Sequence, residues 1–383
     1  MNRFLSGLLV IIVISVCLAG CAEVPGEVSK SPVTSFSVTV EPVPSPTPSL
    51  TPAEAMLAAM STEQKVGQLF FARFPQDSNA LEEIEKYQPA GYILFGVNFE
   101  QATPEGIKKT LKDCQAASGI PLLFGIDEEG GTVVRASKYP AFRAAPFASP
   151  QSLYQAGGLD GIVADTKEKS TLLADLGFTV NFAPVCDVST DKKDFIFFRS
   201  FGKPAKQTAE YVSTVVAAMR GTGVDPVLKH FPGYGNNADT HTGVAIDNRG
   251  LGCFKSSDFL PFRAGIQAGA PAVLISHNIV TCMDEKYPAS LSGGVHKILR
   301  DEFLFEGVAI TDDLAMEAVA SYAGEQEVAV LAVLAGNDLL ISSDLKTQYE
   351  SVLAAVNNGE IPMQTLDGAV LRVLRWKEQL GLI

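Results

Sequence analysis

The sequence predicts an α/β chain folded as a (β/α)8 TIM-type barrel, and three observations predict it. Eight short apolar runs recur at intervals mostly of about 25 to 45 residues, the length of a βα unit. Most are continuous β-branched or aromatic stretches rather than alternating ones, as parallel strands covered on both faces require. Polar residues collect just beyond their ends, where a parallel barrel opens its functional mouth. A doubly wound sheet is the competing architecture, but no Gly-x-Gly-x-x-Gly turn follows the first run. No internal repeat is evident.

Taken in order, the chain starts with Arg3, an apolar run from Leu8 to Val16 and then Leu18-Ala19-Gly20-Cys21. A short positive start, an apolar stretch too short to cross a bilayer comfortably and small residues before a cut site read as an export signal over residues 1–20. The Leu-Ala-Gly-Cys ending resembles a bacterial lipobox. That implies cleavage before Cys21, lipidation of its sulfur and a chain tethered to the cell membrane outside the cytoplasm. Residues 21–52 read as a linker, because seven of the 22 prolines and ten Ser and Thr fall between Ala22 and Pro52. Such a segment buries too little apolar surface to fold, and in polyproline II it reaches on the order of 100 Å.

Residues 53–383 read as one catalytic domain. Ser61, followed three residues later by Gln64, has the pattern of a capping box. Strands are expected at Gln68 to Ala72, Gly91 to Phe95, Leu122 to Ile126 and Thr179 to Val185. Four more are expected at Pro226 to Leu228, Ala272 to Ile275, Val308 to Ile310 and Asp338 to Ile341. With 46% apolar and 19% charged residues the chain can bury a large core. A net charge of −13 excludes nucleic acid as a partner, since phosphate binding needs a basic face. Of six cysteines, Cys17 leaves with the signal and Cys21 takes the lipid. Cys114, Cys186, Cys253 and Cys282 lack metal-ligand spacing and are expected as small buried hydrophobes, with any disulfide pairing undetermined.

The chemistry gathers at the run ends. Asp127 follows Leu-Leu-Phe-Gly-Ile, Lys229 and His230 follow Pro-Val-Leu, His277 follows Val-Leu-Ile-Ser and Asp312 follows Val-Ala-Ile-Thr. Five such residues at equivalent positions are too many for incidental strand-end hydrogen bonders, and in a barrel they share one mouth.

The stretch Lys229-His230-Phe231-Pro232-Gly233-Tyr234-Gly235, with Asp239-Thr240-His241 after it, resembles glycoside hydrolase family 3, in its β-N-acetylglucosaminidase branch. Asp127-Glu128-Glu129-Gly130-Gly131 through Arg135 is similar to another block of that family. So are Asn181-Phe182-Ala183-Pro184-Val185 with Asp187, Arg199-Ser200-Phe201-Gly202, Pro288-Ala289-Ser290-Leu291-Ser292 and Thr311-Asp312-Asp313-Leu314-Ala315-Met316. Two departures stand out. Tyr234 occupies the place of a usual His, with the following spacing one residue shorter, and Glu128 occupies the place of a usual Gln, which bears on subsite polarity.

The resemblance implies a retaining hydrolase that releases terminal β-linked N-acetylglucosamine from cell-wall fragments. Asp312 is then the nucleophile and His241 the acid/base, with Asp239 orienting it. A carboxylate suits an oxocarbenium-like centre, and an imidazole can both donate and accept a proton near neutrality. Asp127, Arg135, Arg199, Lys229 and His230 would hold the sugar, with His277 beside them. No cofactor or metal is implied. A β-glucosidase or β-xylosidase of the same family and a catalytically inactive wall-binding lipoprotein are the other readings.

Overall fold

The computed structural model describes residues 26, 50–76, 79–237, 245–316, 319 and 325–383. The expectations for the signal segment, Cys21, Asp239 and His241 lie outside the described residues. No described helix is long and apolar enough to cross a membrane.

Capping chemistry sets the first turns. Thr51 caps the helix Pro52–Ala59, its hydroxyl accepting from Glu54 N at 3.2 Å while Thr51 N donates to Glu54 Oε2 at 3.0 Å. Ser61 and Gln64 repeat the exchange at the helix Thr62–Gly67.

The strands then run in chain order: β1 (Phe70–Arg73), β2 (Gly91–Leu94), β3 (Leu123–Ile126), β4 (Val180–Asn181), β5 (Asp225–Phe231), β6 (Ile246–Asp247), β7 (Ala272–Ile275), β8 (Ile279–Val280), β9 (Val308–Thr311) and β10 (Leu340–Ser342). Eight of them pair in parallel in the order β10-β1-β2-β3-β4-β5-β7-β9, and β6 pairs with β8 apart from these. A parallel bridge between Ile310 and Leu339, with Thr311 N donating to Leu339 O at 3.0 Å, closes β9 onto the chain leading into β10. The result is a (β/α)8 barrel.

Alternation along each strand divides the core in two. Phe71, Ile93, Leu123, Val180, Val227, Leu274, Ile310 and Ile341 belong to one buried cluster, the barrel interior. Their neighbours Phe70, Tyr92, Phe124, Leu228, Val273, Ala309 and Leu340 belong to another, packed beneath the helices. Both faces are apolar, which is why the runs read as continuous. Gly125 is required inside: a Cβ there would lie 2.7 Å from both Phe182 Cε2 and Phe71 Cε1. Those two rings meet edge to face at 5.6 Å.

The last helix, Met363–Gln379, seals the floor. Val373 and Trp376 join the interior cluster, and the indole Nε1 of Trp376 donates to Asp225 Oδ2 at 2.8 Å. Lys377 is fully buried beside them, donates to Gln68 Oε1 at 2.5 Å, and has its pKa pushed down to about 7 by burial. Asp338 fastens the seam, accepting from Arg300 Nη2 at 2.6 Å, Ala309 N at 2.8 Å and Arg372 Nη1 at 2.9 Å.

Several expectations shift. β5 runs on through Lys229 and His230 instead of stopping at Leu228, with a register irregularity before Phe231. β4 is only two residues long, since Ala183-Pro184 interrupts the ladder and Pro184 has no N–H to give it. Gln68 belongs to a helix end, where its side chain donates to Gln88 O at 2.8 Å and Pro89 O at 3.2 Å. Cys114 and Cys186 are buried as expected, but Cys253 and Cys282 are exposed, and all four are free thiols. Cys253 lies on the open side of the short helix Leu251–Ser256, and Cys282 lies in the turn after β8, where no core covers them.

Candidate active site

At the C-terminal mouth of the barrel, a cavity of about 520 Å³ is lined by Asp127, Arg135, Arg199, Lys229, His230, Asp312, Asp313 and Met316. Arg73, Ile93, Phe95, Val133, Phe182, Phe195, Leu274 and Ile341 complete the wall. Six of the nine expected site residues therefore come together here. Asp239 and His241 lie outside the described residues, and His277 lies behind the lining.

The charges form a chain of contacts rather than isolated pairs. Lys229 Nζ sits 2.6 Å from Asp127 Oδ1 and 2.6 Å from Glu129 Oε1. Arg199 grips the same Glu129 from the other side, Nε to Oε2 at 3.1 Å and Nη2 to Oε1 at 2.7 Å, the bidentate fork that a guanidinium and a carboxylate form. Arg135 Nη2 lies 3.6 Å from Asp127 Oδ2. Burial raises the pKa of Glu129, but the Arg199 and Lys229 charges more than reverse this and hold the carboxyl well below its usual range. Burial lowers the pKa of Arg199, and Glu129 overrides that in turn, so the guanidinium stays charged.

His230 is held from three directions. Its backbone N donates to Asp187 Oδ2 at 3.1 Å, its Nδ1 contacts the same oxygen at 2.8 Å, and Nε2 meets Arg199 Nη2 at 3.1 Å. Since a guanidinium can only donate, Nε2 accepts and Nδ1 carries the proton given to Asp187. The other oxygen of Asp187 accepts from Tyr234 N at 2.7 Å, so one buried carboxylate fixes both His230 and the start of the glycine loop. Tyr234 is itself buried, its ring edge-on to His230 at 5.1 Å and to Phe195 at 5.9 Å.

Asp312 leaves the end of β9 with its backbone N donating to Ile275 O at 3.1 Å, and its Oδ1 accepts from Asp313 N at 2.9 Å. Asp313 orders the turn: Oδ1 accepts from Ala315 N at 3.0 Å and Oδ2 from the Ser343 hydroxyl. The Asp313 carbonyl meets His277 Nε2 at 3.0 Å, and His277 Nδ1 meets Ser290 Oγ at 2.7 Å. Fully buried, His277 braces the turn that presents Asp312.

Glu128 corrects the expectation about subsite polarity. It is fully buried and turned away, accepting from Arg135 N at 3.0 Å, Ala136 N at 2.9 Å and the Ser137 hydroxyl, and thus shapes the loop that carries Arg135. Glu129 and Asp187 were visible as motif members, but their work as holders of cations and of an imidazole was not. Arg73, Phe95 and Phe195 carried no signal beyond their place next to strands.

A closed parallel barrel whose C-terminal mouth gathers carboxylates, guanidinium groups, an amine and an imidazole belongs to the (β/α)8 enzymes. The chain belongs to glycosyl hydrolase family 3, whose N-terminal-domain model matches residues 61–376, and it is a glycoside hydrolase. It is 28% identical over 365 residues to beta-hexosaminidase LpqI of Mycobacterium tuberculosis, covering 92% of each chain. It is 32% identical over 298 residues to a beta-hexosaminidase of Xanthomonas campestris, covering 76% of this chain and 86% of that one. A glycoside hydrolase family 3 beta-N-acetylglucosaminidase from a Paenibacillus species superposes with a TM-score of 0.80 at 30% identity, over 85% of this chain. This chain spans 63% of that structure.

Proposed function

We propose that the chain is an exo-acting, retaining β-N-acetylglucosaminidase that removes terminal β-linked N-acetylglucosamine from cell-wall saccharides. The reading rests most on Asp312 sharing one cavity with Asp127, Arg135, Arg199, Lys229 and His230. The activity named for the two relatives and for the Paenibacillus structure supports the sugar.

In this reading His241, oriented by Asp239, protonates the glycosidic oxygen while Asp312 Oδ2 attacks the anomeric carbon. The C–O bond to the leaving saccharide breaks, and a glycosyl ester on Asp312 forms. A water then gives its proton to His241 and its oxygen to the anomeric carbon, which frees the sugar and restores both groups. The Asp313 N–H, bonded to Oδ1, directs the other oxygen toward the sugar. Lys229 commits two of its three N–H bonds to Asp127 and Glu129, and the third is left for a sugar hydroxyl. Arg199 similarly keeps its Nη1 donors, and Asp127 and Arg135 complete the hydroxyl clamp. His277 acts through the Asp312–Asp313 turn. No cofactor takes part.

Turnover of p-nitrophenyl β-N-acetylglucosaminide, but not of the β-glucoside or β-xyloside, by the full chain tests the reading, with Asp312→Asn inactive. Preference for a glucoside or xyloside would move the chain to another activity of its family. No turnover at all would leave a wall-binding protein.

The Leu18-Ala19-Gly20-Cys21 sequence supports a further part of the proposal, that lipidation at Cys21 anchors the enzyme to the outer side of the cell membrane. Cys21→Ser then shifts the protein from the membrane to the soluble fraction.

A further inference from the structure

The segment that carries Asp239 and His241 follows β5 and precedes β6, and one carboxylate ties its two described ends together. Asp247, on β6 and 2% exposed, accepts at Oδ2 from Asn237 Nδ2 at 2.8 Å across ten positions of chain. The same oxygen accepts from Arg249 Nη2 at 2.7 Å, and Oδ1 accepts from Arg249 N at 2.9 Å. Arg249 also reaches a second buried carboxylate, Asp258, with Nη1 to Oδ2 and Nη2 to Oδ1 both at 3.0 Å. Its guanidinium lies 4.4 Å from the centre of the buried Phe254 ring. A planar fork held by two carboxylates and a ring is fixed in direction, and it fixes Asp247 in turn.

The glycines after β5 close directly on this clamp. Gly235 has a φ of +57°, and a Cβ there would lie 2.5 Å from Arg249 Cζ. Gly233 has a φ of +123°, and its Cβ would lie 2.7 Å from Asp258 Oδ1. Asn237 Nδ2 also donates to Tyr234 O at 2.8 Å, and Tyr234 N donates to Asp187, the carboxylate that holds His230. The outgoing end is thus tied to the sugar site. The returning end is tied to the chain that leaves β7, since β6 pairs with β8: Ile279 N donates to Ala245 O and Thr281 N to Asp247 O, each at 2.9 Å. Asn237, Asp247, Arg249 and Asp258 stand outside the cavity lining, so their reach to the reaction runs through the segment they hold.

We propose that Asn237, Asp247 and Arg249 are positioning residues for the acid/base, and that their clamp sets where His241 stands against the glycosidic oxygen. The inference rests on the glycosidase reading and separates two tasks within it. Asp312 is presented by the turn that His277 braces, and His241 by the segment whose ends Asp247 joins. Slack at the clamp therefore weakens proton donation and leaves the nucleophile in place. A displacement on the order of 1 Å costs such a step about 100-fold. The need for the proton grows with the basicity of the leaving oxygen: a dinitrophenolate departs unassisted, whereas a phenolate or a sugar alkoxide does not.

The test compares kcat/KM for the 2,4-dinitrophenyl, p-nitrophenyl and phenyl β-N-acetylglucosaminides in the full chain and in its Asn237→Ala and Arg249→Lys variants. Asn237 is half-buried, so its truncation removes the cross-segment bond and leaves the core intact. In Asn237→Ala the phenyl substrate is expected to lose about 30-fold and the 2,4-dinitrophenyl substrate no more than about threefold. Arg249→Lys, which keeps a charge beside Asp247 without the fork, is expected to show the same split. A loss equal for all three leaving groups in Asn237→Ala, or no loss, overturns the inference, while turnover by the wild type leaves the glycosidase reading standing. A wild type that cleaves none of the three overturns both.

Discussion

Glu129→Gln isolates what the buried carboxylate contributes, because it keeps the shape and removes the charge. In the wild type Glu129 receives two bonds from Arg199 and one from Lys229, and it is only 5% exposed. Breaking a buried ion pair by removing one partner costs about 3–5 kcal/mol. Lys229 retains Asp127, so the lower end applies, about 3 kcal/mol. At roughly 2 °C per kcal/mol for a large domain, the melting temperature falls about 6 °C. The amide also points N–H bonds at a guanidinium that has none to accept, so Arg199 turns away and loosens its hold on His230 Nε2. That misplacement lowers kcat/KM about 100-fold. The pH dependence has a definite sign. A carboxyl whose folded pKa lies below its unfolded value of 4.5 stabilises the fold above that pH and loses the contribution as pH falls through the folded value. The difference between wild type and variant therefore narrows below about pH 4.5. Denaturant unfolding between pH 3 and 7, with kinetics on the p-nitrophenyl substrate, measures all of this. A variant within 0.5 kcal/mol of wild type at pH 7, or a gap that widens on acidification, refutes the reasoning.

Three further outcomes are expected. Lys377 has a folded pKa near 7 against 10.5 unfolded, so the fold binds fewer protons in that window and gains stability as pH rises through it. Lys377→Met flattens that slope and, after allowing for the orphaned Gln68 oxygen, stabilises the protein at pH 6 by roughly 2 kcal/mol, as urea unfolding at several pH values would register. Gly125→Ala forces a methyl against Phe71 and Phe182 and costs about 3 kcal/mol in the same measurement. His277→Ala removes the brace on the Asp313 carbonyl. Its kcat falls at least about tenfold while KM stays within about twofold, since the lost interaction orients the nucleophile and does not hold the sugar.

The barrel was legible because its signal is local. Phe70-Phe71-Ala72 or Val308-Ala309-Ile310 shows in three residues that both faces are covered. Strand ends were less legible wherever polarity and secondary structure part company. β5 carries Lys229 and His230 on its own ladder, and a reading that ends strands at the first charge stops three residues early. β1 was cut before Arg73 for the same reason, which hid the one unpaired cation of the described cavity lining. The paired strands β6 and β8 are two residues each, too short to show a period. Within the site, residue types and positions could be read, but partnerships could not. Lys229 finds Asp127 across 102 positions, Arg199 finds Glu129 across 70, and His230 finds Asp187 across 43. Nothing in the sequence separates Glu128, which pins a loop, from Glu129 beside it, which holds two cations.

The stopper in the barrel floor also decides when this chain can finish folding. Val373, Trp376 and their neighbours come after every strand of the barrel in chain order, yet they cover an interior assembled from strands that begin at Phe70. Until they arrive, Phe71, Leu123, Val180 and Val227 face water through an open base, and Asp225 awaits its indole partner. A nascent or C-terminally clipped chain is therefore a tube with a wet bore and a set of apolar rings on offer to any chaperone or any other unfinished copy. Docking of this helix, more than formation of any strand, is the step that closes the barrel interior to water.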